Sequence, residues 1–172
     1  MIMKNFLKDK LFYLSSPIEF GVDNWRYEFK DYLIKNFKIN IYDPFLDPKQ
    51  QWTKQILKAR KEKNYEKIAT IAKNFVLKDY LMVDKADGLI AYLPYKVPTI
   101  GVHYEISRSL SSNKPTFLIC PEGKELLPVW YYGIVNHKNM FGNFNEFYDY
   151  LEKINLGQIK NDDSLLAIYD KI

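Results

Sequence analysis

Two carboxylates, Asp79 and Glu105, lie on either side of one apolar run in the stretch DYLMVDKADGLIAYLPYKVPTIGVHYEISR, residues 79 to 108. The periodicity places Asp79 near the end of one helix and Glu105 on the next, with a strand between them. Two acids held by a strand and its flanking helices can break or transfer a glycosidic bond. One traps or stabilises the cation-like sugar, and the other handles the proton on the leaving group. Little else in the chain points to chemistry.

Each acid carries its own signal. On the helix opening near Thr99, Val102, Ile106 and Leu110 repeat at i, i+4 and i+8 and should face a sheet. Gly101 lies four residues before Glu105, on the same side, and leaves room for a substrate beside the carboxylate. The bland alternative is a surface glutamate. Asp79 falls on the apolar stripe Ile68, Ala72, Phe75 and Met82. A carboxylate there is costly unless it is paired, hydrogen-bonded or protonated, which makes it a functional candidate. Its alternative is a structural acid bonded to a backbone amide or to Tyr13. Asp87, before Gly88, reads as a turn residue. His103 points about 100° or more away from Glu105. No second His or Cys completes a metal set, so neither metal nor cofactor is expected. No P-loop, G-x-G-x-x-G or G-x-S-x-G is present.

The elements that must position these residues follow from apolar runs and breakers. Strands are expected at Leu11 to Ser16, Ile39 to Tyr42, Gly88 to Leu93 and Thr116 to Cys120. Helices are expected from Asp23 or Asn24 to about Asn36, from about Trp52 to Lys85 with a break near Lys63-Asn64, and from Thr99 to Ser111. A last helix is expected from an Asn145 cap to about Ile154. PFLDPKQQW reads as a long loop, and VWYYG as part of another containing Pro121, Gly123 and Pro128. The strands do not alternate, so both faces should be covered. That order gives an α/β domain with a mainly parallel sheet, in which ligands bind beyond the carboxyl ends of the strands. Ser15 to Phe20, Asp43 to Trp52, Leu93 to Gly101 and Pro121 to Gly133 fall there.

Composition sets the bounds. The 172 residues suit one domain, residues 1–172, with a polar C-terminal arm from about residue 155. The net charge of +4 is compatible with small anions, but the lysines are scattered, so no nucleic-acid polymer is expected as partner. Fourteen Tyr and eleven Phe leave room for a stacking pocket or an aromatic oligomer interface, though core packing explains most of them. The single cysteine, Cys120, excludes a disulfide framework and reads as a buried strand end. With no signal peptide and no run of membrane-spanning length, a soluble cytoplasmic protein is the expectation.

The ordered set of Tyr13 in YLSSP, Asp79 eight residues before Asp87, an apolar strand and G-x-x-x-E-I from Gly101 to Ile106 resembles the nucleoside 2-deoxyribosyltransferase superfamily. That superfamily includes the 2'-deoxynucleoside 5'-phosphate N-hydrolases, and the similarity spans roughly residues 11 to 135. The resemblance implies a single Rossmann- or flavodoxin-like domain with about five strands and helices on both faces. It implies that Glu105 attacks the anomeric carbon, Asp79 manages the proton on the base, and Tyr13 orients Glu105. A raised pKa on buried Asp79 would keep its proton available. Ser15, Ser16, Pro17, Asp43, Thr99, Gly101 and Trp130 become the expected substrate contacts, with Gln50, Gln51 and Trp52 near the base. A homodimer or larger homo-oligomer is implied as well.

Two departures bear on the reaction. Transferases of the family often carry an acid six residues before the nucleophile, where this chain has Thr99. The phosphate hydrolases use a small hydroxyl residue there, but they carry Ser and Arg in the first loop, where this chain has Pro17 and Glu19. The leading expectation is deoxyribosyl transfer between bases. The alternatives are hydrolysis of a deoxynucleoside 5'-monophosphate, and a non-catalytic nucleotide-binding module on the same fold.

Overall fold

The computed structural model describes residues 5–18, 24–47 and 52–159. Glu19, Phe20, Asp23, Gln50, Gln51 and the arm beyond residue 159 lie outside the described residues.

Five strands form one parallel sheet: β1 (Leu11–Ser15), β2 (Asn40–Tyr42), β3 (Gly88–Tyr92), β4 (Thr116–Ile119) and β5 (Met140–Phe141). Their spatial order is β2-β1-β3-β4-β5, with every pairing parallel. This is the flavodoxin-like doubly wound order, in which the chain switches sides between β1 and β3. The helices are α1 (Trp25–Phe37), α2 (Thr53–Lys61), α3 (Tyr65–Lys85), α4 (Ile100–Ser111), α5 (Val129–Ile134) and α6 (Phe144–Asn155).

Alternate residues of each strand feed two separate cores. Phe12, Leu14, Ile90, Phe117 and Ile119 pack with Phe29, Leu33 and Phe37 of α1 and with Phe147, Leu151 and Ile154 of α6. Tyr13, Leu89, Ala91 and Leu118 point to the other face, against Val83 of α3, Val102 and Ile106 of α4 and Tyr131 of α5. Gly88 is required by close approach, because a Cβ there would stand 2.5 Å from the Phe12 ring and 2.9 Å from the Pro115 carbonyl.

The α/β expectation holds, as does the break in the long helical region. Lys63 adopts a left-handed φ of 52° between α2 and α3, and Asn64 caps α3 through the Lys67 amide. Two local expectations are corrected. VWYYG is helical rather than a loop: Pro128 opens the short helix α5, where the missing amide of proline costs nothing. The last helix is capped by Asn143, not Asn145, because Asn143 accepts from the Glu146 amide three residues on while Asn145 already sits in the first turn. The fifth strand that the resemblance implies is Met140–Phe141, at a place where the apolar runs named none. Two residues are too few to show a period. Among the described residues no helix is long and apolar enough to cross a membrane.

Candidate active site

Tyr13 and Ser15 leave the C-terminal half of β1 on the same face of the sheet, two residues apart, as strand geometry demands. α4 lies over that face and brings Glu105 down to them. The Tyr13 hydroxyl donates to Glu105 Oε1 at 2.8 Å, and the Ser15 hydroxyl donates to Oε2. Glu105 is only 9% exposed, so it is not the surface glutamate that the bland reading allowed.

Burial pushes Glu105 up to about 7, helped by the negative charge of Asp79 and opposed by the hydrogen bonds from Ser15 and Tyr13. Burial, followed by the charge on Glu105, holds the Tyr13 phenol well above its usual range, so it remains a donor. The carboxylate is therefore fixed in orientation and poorly solvated, and it stands at the edge between its two protonation states near neutrality. Such an oxygen can attack an electron-poor carbon and can leave again.

Glu105 opens into a cavity of about 460 Å³ at the carboxyl end of the sheet. Asp79 lies on the same wall, buried at 8% exposure. Ser16, Pro17, Thr99 and Gly101 also line the cavity. A Cβ on Gly101 would meet nothing within 4 Å, so the glycine leaves open space above Glu105. Trp52 and Phe75 stack with ring centroids 4.2 Å apart and 13° between planes, and together they form an apolar wall. A flat heterocycle could lie against that wall. A second cleft of similar volume is lined by Tyr32, Asn36, Tyr148 and Glu152, and its acids are exposed. The chemistry belongs to the first.

The structure thus brings together Glu105, Asp79, Tyr13, Ser15, Ser16, Pro17, Thr99 and Gly101. Ser15 stands behind Glu105 and does not line the cavity. Asp43 and Trp130 are elsewhere. Asp43 pairs with Arg26 at 2.8 Å, both side chains fully buried, and accepts from the Phe45 amide at 3.0 Å. Burial raises its pKa and Arg26 opposes the rise. Trp130 is 76% exposed on α5 and does not line the cavity. Asp87 accepts from the Leu11 amide at 2.7 Å and joins β1 to the start of β3.

Arg26 is a contributor that the sequence reading passed over. It donates to Ser16 Oγ as well as to Asp43, so one buried cation ties the cavity-lining loop after β1 to the loop after β2. The signal was present: Arg26 lies on the buried stripe of α1 that continues through Phe29, Leu33 and Phe37, and a charge on such a stripe needs a partner. Among the described residues no group of His, Cys, Asp and Glu could hold a metal ion.

No protein-family model matches the chain, and no curated protein matches it by sequence. Among solved structures, it is similar to a 2-deoxyribosyltransferase from the psychrotolerant bacterium Bacillus psychrosaccharolyticus, described as a biocatalyst for nucleoside synthesis. The match has a TM-score of 0.55 at 16% identity and covers 81% of this chain and 91% of that one. At that identity the likeness establishes a shared fold.

Proposed function

We propose that this chain is a nucleoside 2-deoxyribosyltransferase that cleaves the N-glycosidic bond of a 2'-deoxynucleoside through a glycosyl-Glu105 intermediate. One observation carries the reading: a buried glutamate, gripped on both oxygens by Tyr13 and Ser15, opens into the same cavity as a second buried acid, Asp79. The likeness in fold to a 2-deoxyribosyltransferase supports it.

The steps balance on these groups. Asp79 gives its proton to the departing base as the bond from C1' to the base nitrogen breaks. Glu105 closes on C1' and forms an ester. A second base then attacks C1', the ester bond breaks, and the proton of the incoming base passes to Asp79. The Trp52–Phe75 wall holds either base by stacking. If water attacks instead, the products are free base and free deoxyribose.

A second reading is hydrolysis of a deoxynucleoside 5'-monophosphate. Thr99, a buried hydroxyl on the cavity wall at the start of α4, favours it. The purified protein is incubated with a deoxynucleoside plus a second free base, and in parallel with a deoxynucleoside monophosphate. A new nucleoside establishes transfer, and free base released only from the monophosphate establishes the second reading. Glu105→Gln should lower either activity by at least about 10³-fold. Turnover that survives this change, or ligand binding with no turnover in the unaltered protein, overturns the enzyme reading.

A further inference from the structure

Two residues before Glu105, His103 has both ring nitrogens engaged. Nε2 lies 3.0 Å from Thr99 Oγ1, and Nδ1 meets the Tyr131 hydroxyl. The His103 and Tyr131 rings stack with centroids 5.5 Å apart, so α5 is docked on α4 at this point.

The direction of these bonds follows from which protons need an acceptor. Tyr131 is 3% exposed, and among the described residues its hydroxyl meets only His103 Nδ1. A buried phenol proton with no acceptor is expensive, so Tyr131 must donate and Nδ1 must accept. Burial keeps the Tyr131 proton in place and favours neutral His103. A neutral imidazole that accepts at Nδ1 carries its hydrogen on Nε2 and donates it to Thr99 Oγ1. The Thr99 oxygen thereby receives a proton, and its own O–H remains to be donated. The Thr99 oxygen accepts no capping bond from α4, and among the described residues its hydroxyl meets only His103. Thr99 is 8% exposed and lines the cavity with Gly101 and Glu105.

We propose that Tyr131 and His103 are positioning residues that fix Thr99 as a hydrogen-bond donor to an acceptor oxygen at the sugar end of the substrate. The proposal rests on the functional reading above and deepens it. A hydroxyl and a phosphoryl oxygen can both accept, but a phosphoryl oxygen only accepts, so a fixed donor matches it better. An acid at the same place would have the opposite polarity. His103 and Tyr131 would then act on substrate choice through Thr99, without touching the reacting atoms.

Two measurements on the full chain test this. The first is the ¹⁵N spectrum of the imidazoles, with exposed His137 as internal reference in a chain of two histidines. Nδ1 of His103 should be unprotonated and Nε2 protonated, and Tyr131→Phe should let the tautomers mix. A His103 protonated on Nδ1 overturns the proposal. The second is kinetics on a deoxynucleoside and on its 5'-monophosphate. Thr99→Val and Tyr131→Phe should each raise KM about tenfold with kcat within about twofold. Thr99→Ser should restore KM, and Tyr131→Phe should add nothing in the Thr99→Val background. A larger KM effect on the monophosphate identifies phosphate as the acceptor, and an equal effect identifies a sugar hydroxyl. Additive effects, or a fall in kcat alone, overturn the relay. If neither substrate is turned over, the functional reading fails. The relay is then judged by the tautomer and by calorimetric binding of the monophosphate, which must weaken in Thr99→Val; absent or unchanged binding overturns it.

Discussion

On one face of the sheet, Phe12, Phe117 and Phe141 meet Phe29 of α1 and Phe147 and Tyr150 of α6. On the other, Tyr13 and Ser15 meet Glu105, the Thr116 hydroxyl donates to Ser109 Oγ at 2.9 Å, and Tyr131 meets His103. Both faces are built from the same strands, one residue out of step. The aromatic face is largely hydrocarbon, interrupted by Arg26 on the α1 stripe and by the buried Tyr150–Asn139 hydrogen bond, and rings such as Phe141 and Phe147, 5.2 Å apart and nearly edge to face, supply packing. The other face is packed with smaller side chains and carries hydroxyls and an acid that burial makes costly. Stability is concentrated on the first and chemistry on the second. The aromatic richness of the chain mostly serves the side that has no site.

Changes on the two faces should therefore separate stability from function. The largest expected effect is on the aromatic face. Phe117 is fully buried, so Phe117→Ala should cost about 3–5 kcal/mol in denaturant unfolding, while the folded fraction keeps its kcat. A fall in kcat of the folded protein would break the division. Next is Glu105 itself. Folding raises its pKa, so the protonated form stabilises the fold fully below the ordinary value of 4.5, and that stabilisation is lost as pH rises through about 7. At pH 8 the buried charge is at its most costly, and Glu105→Gln should make the protein more stable by up to about 3 kcal/mol. At pH 4 the gain should vanish. A gain independent of pH would contradict the burial argument.

The third effect concerns the cavity wall. Trp52→Ala removes one ring of the stacked pair and should raise KM by the equivalent of about 1–3 kcal/mol with little change in kcat. An unchanged KM would move the base elsewhere. The smallest effect is a displacement of the pH profile. Attack needs ionised Glu105, so kcat/KM should fall about tenfold per unit below pH 7. The Ser15 and Tyr13 hydrogen bonds both hold that pKa down, Ser15 the more strongly. Ser15→Ala and Tyr13→Phe should move the acid limb to higher pH, Ser15→Ala further. Movement to lower pH would show that Glu105 is not the group titrating.

The parallel α/β layering could be read from the chain, because apolar runs between breakers mark strands and helices in order. The division between the two faces could not, because strands without alternation do not show which residues share a face. Glu105 and Asp79 were visible as acids at positions where an acid is expensive or has open space beside it. What stayed hidden depended on contacts between distant segments. Ser15 grips Glu105 across ninety residues of sequence, and Arg26 answers Asp43 from another element. Nothing in VWYYG announces that Tyr131 meets His103, since a short helix has no period of its own to read. Asp43 was expected at the substrate, and its Oδ1 instead pairs with Arg26 and accepts from the Phe45 amide, away from the cavity lining. Trp130 was expected near the sugar or at a subunit interface, and on this single chain it is exposed.

The central claim is that Glu105 becomes covalently joined to the sugar. Acid quenching during turnover, followed by proteolysis and mass spectrometry, tests it most directly. The account predicts a mass increase of one deoxyribosyl group on the peptide containing Glu105, absent in Glu105→Gln and discharged by adding a free base. An adduct on any other residue, or undiminished turnover by Glu105→Gln, would contradict it.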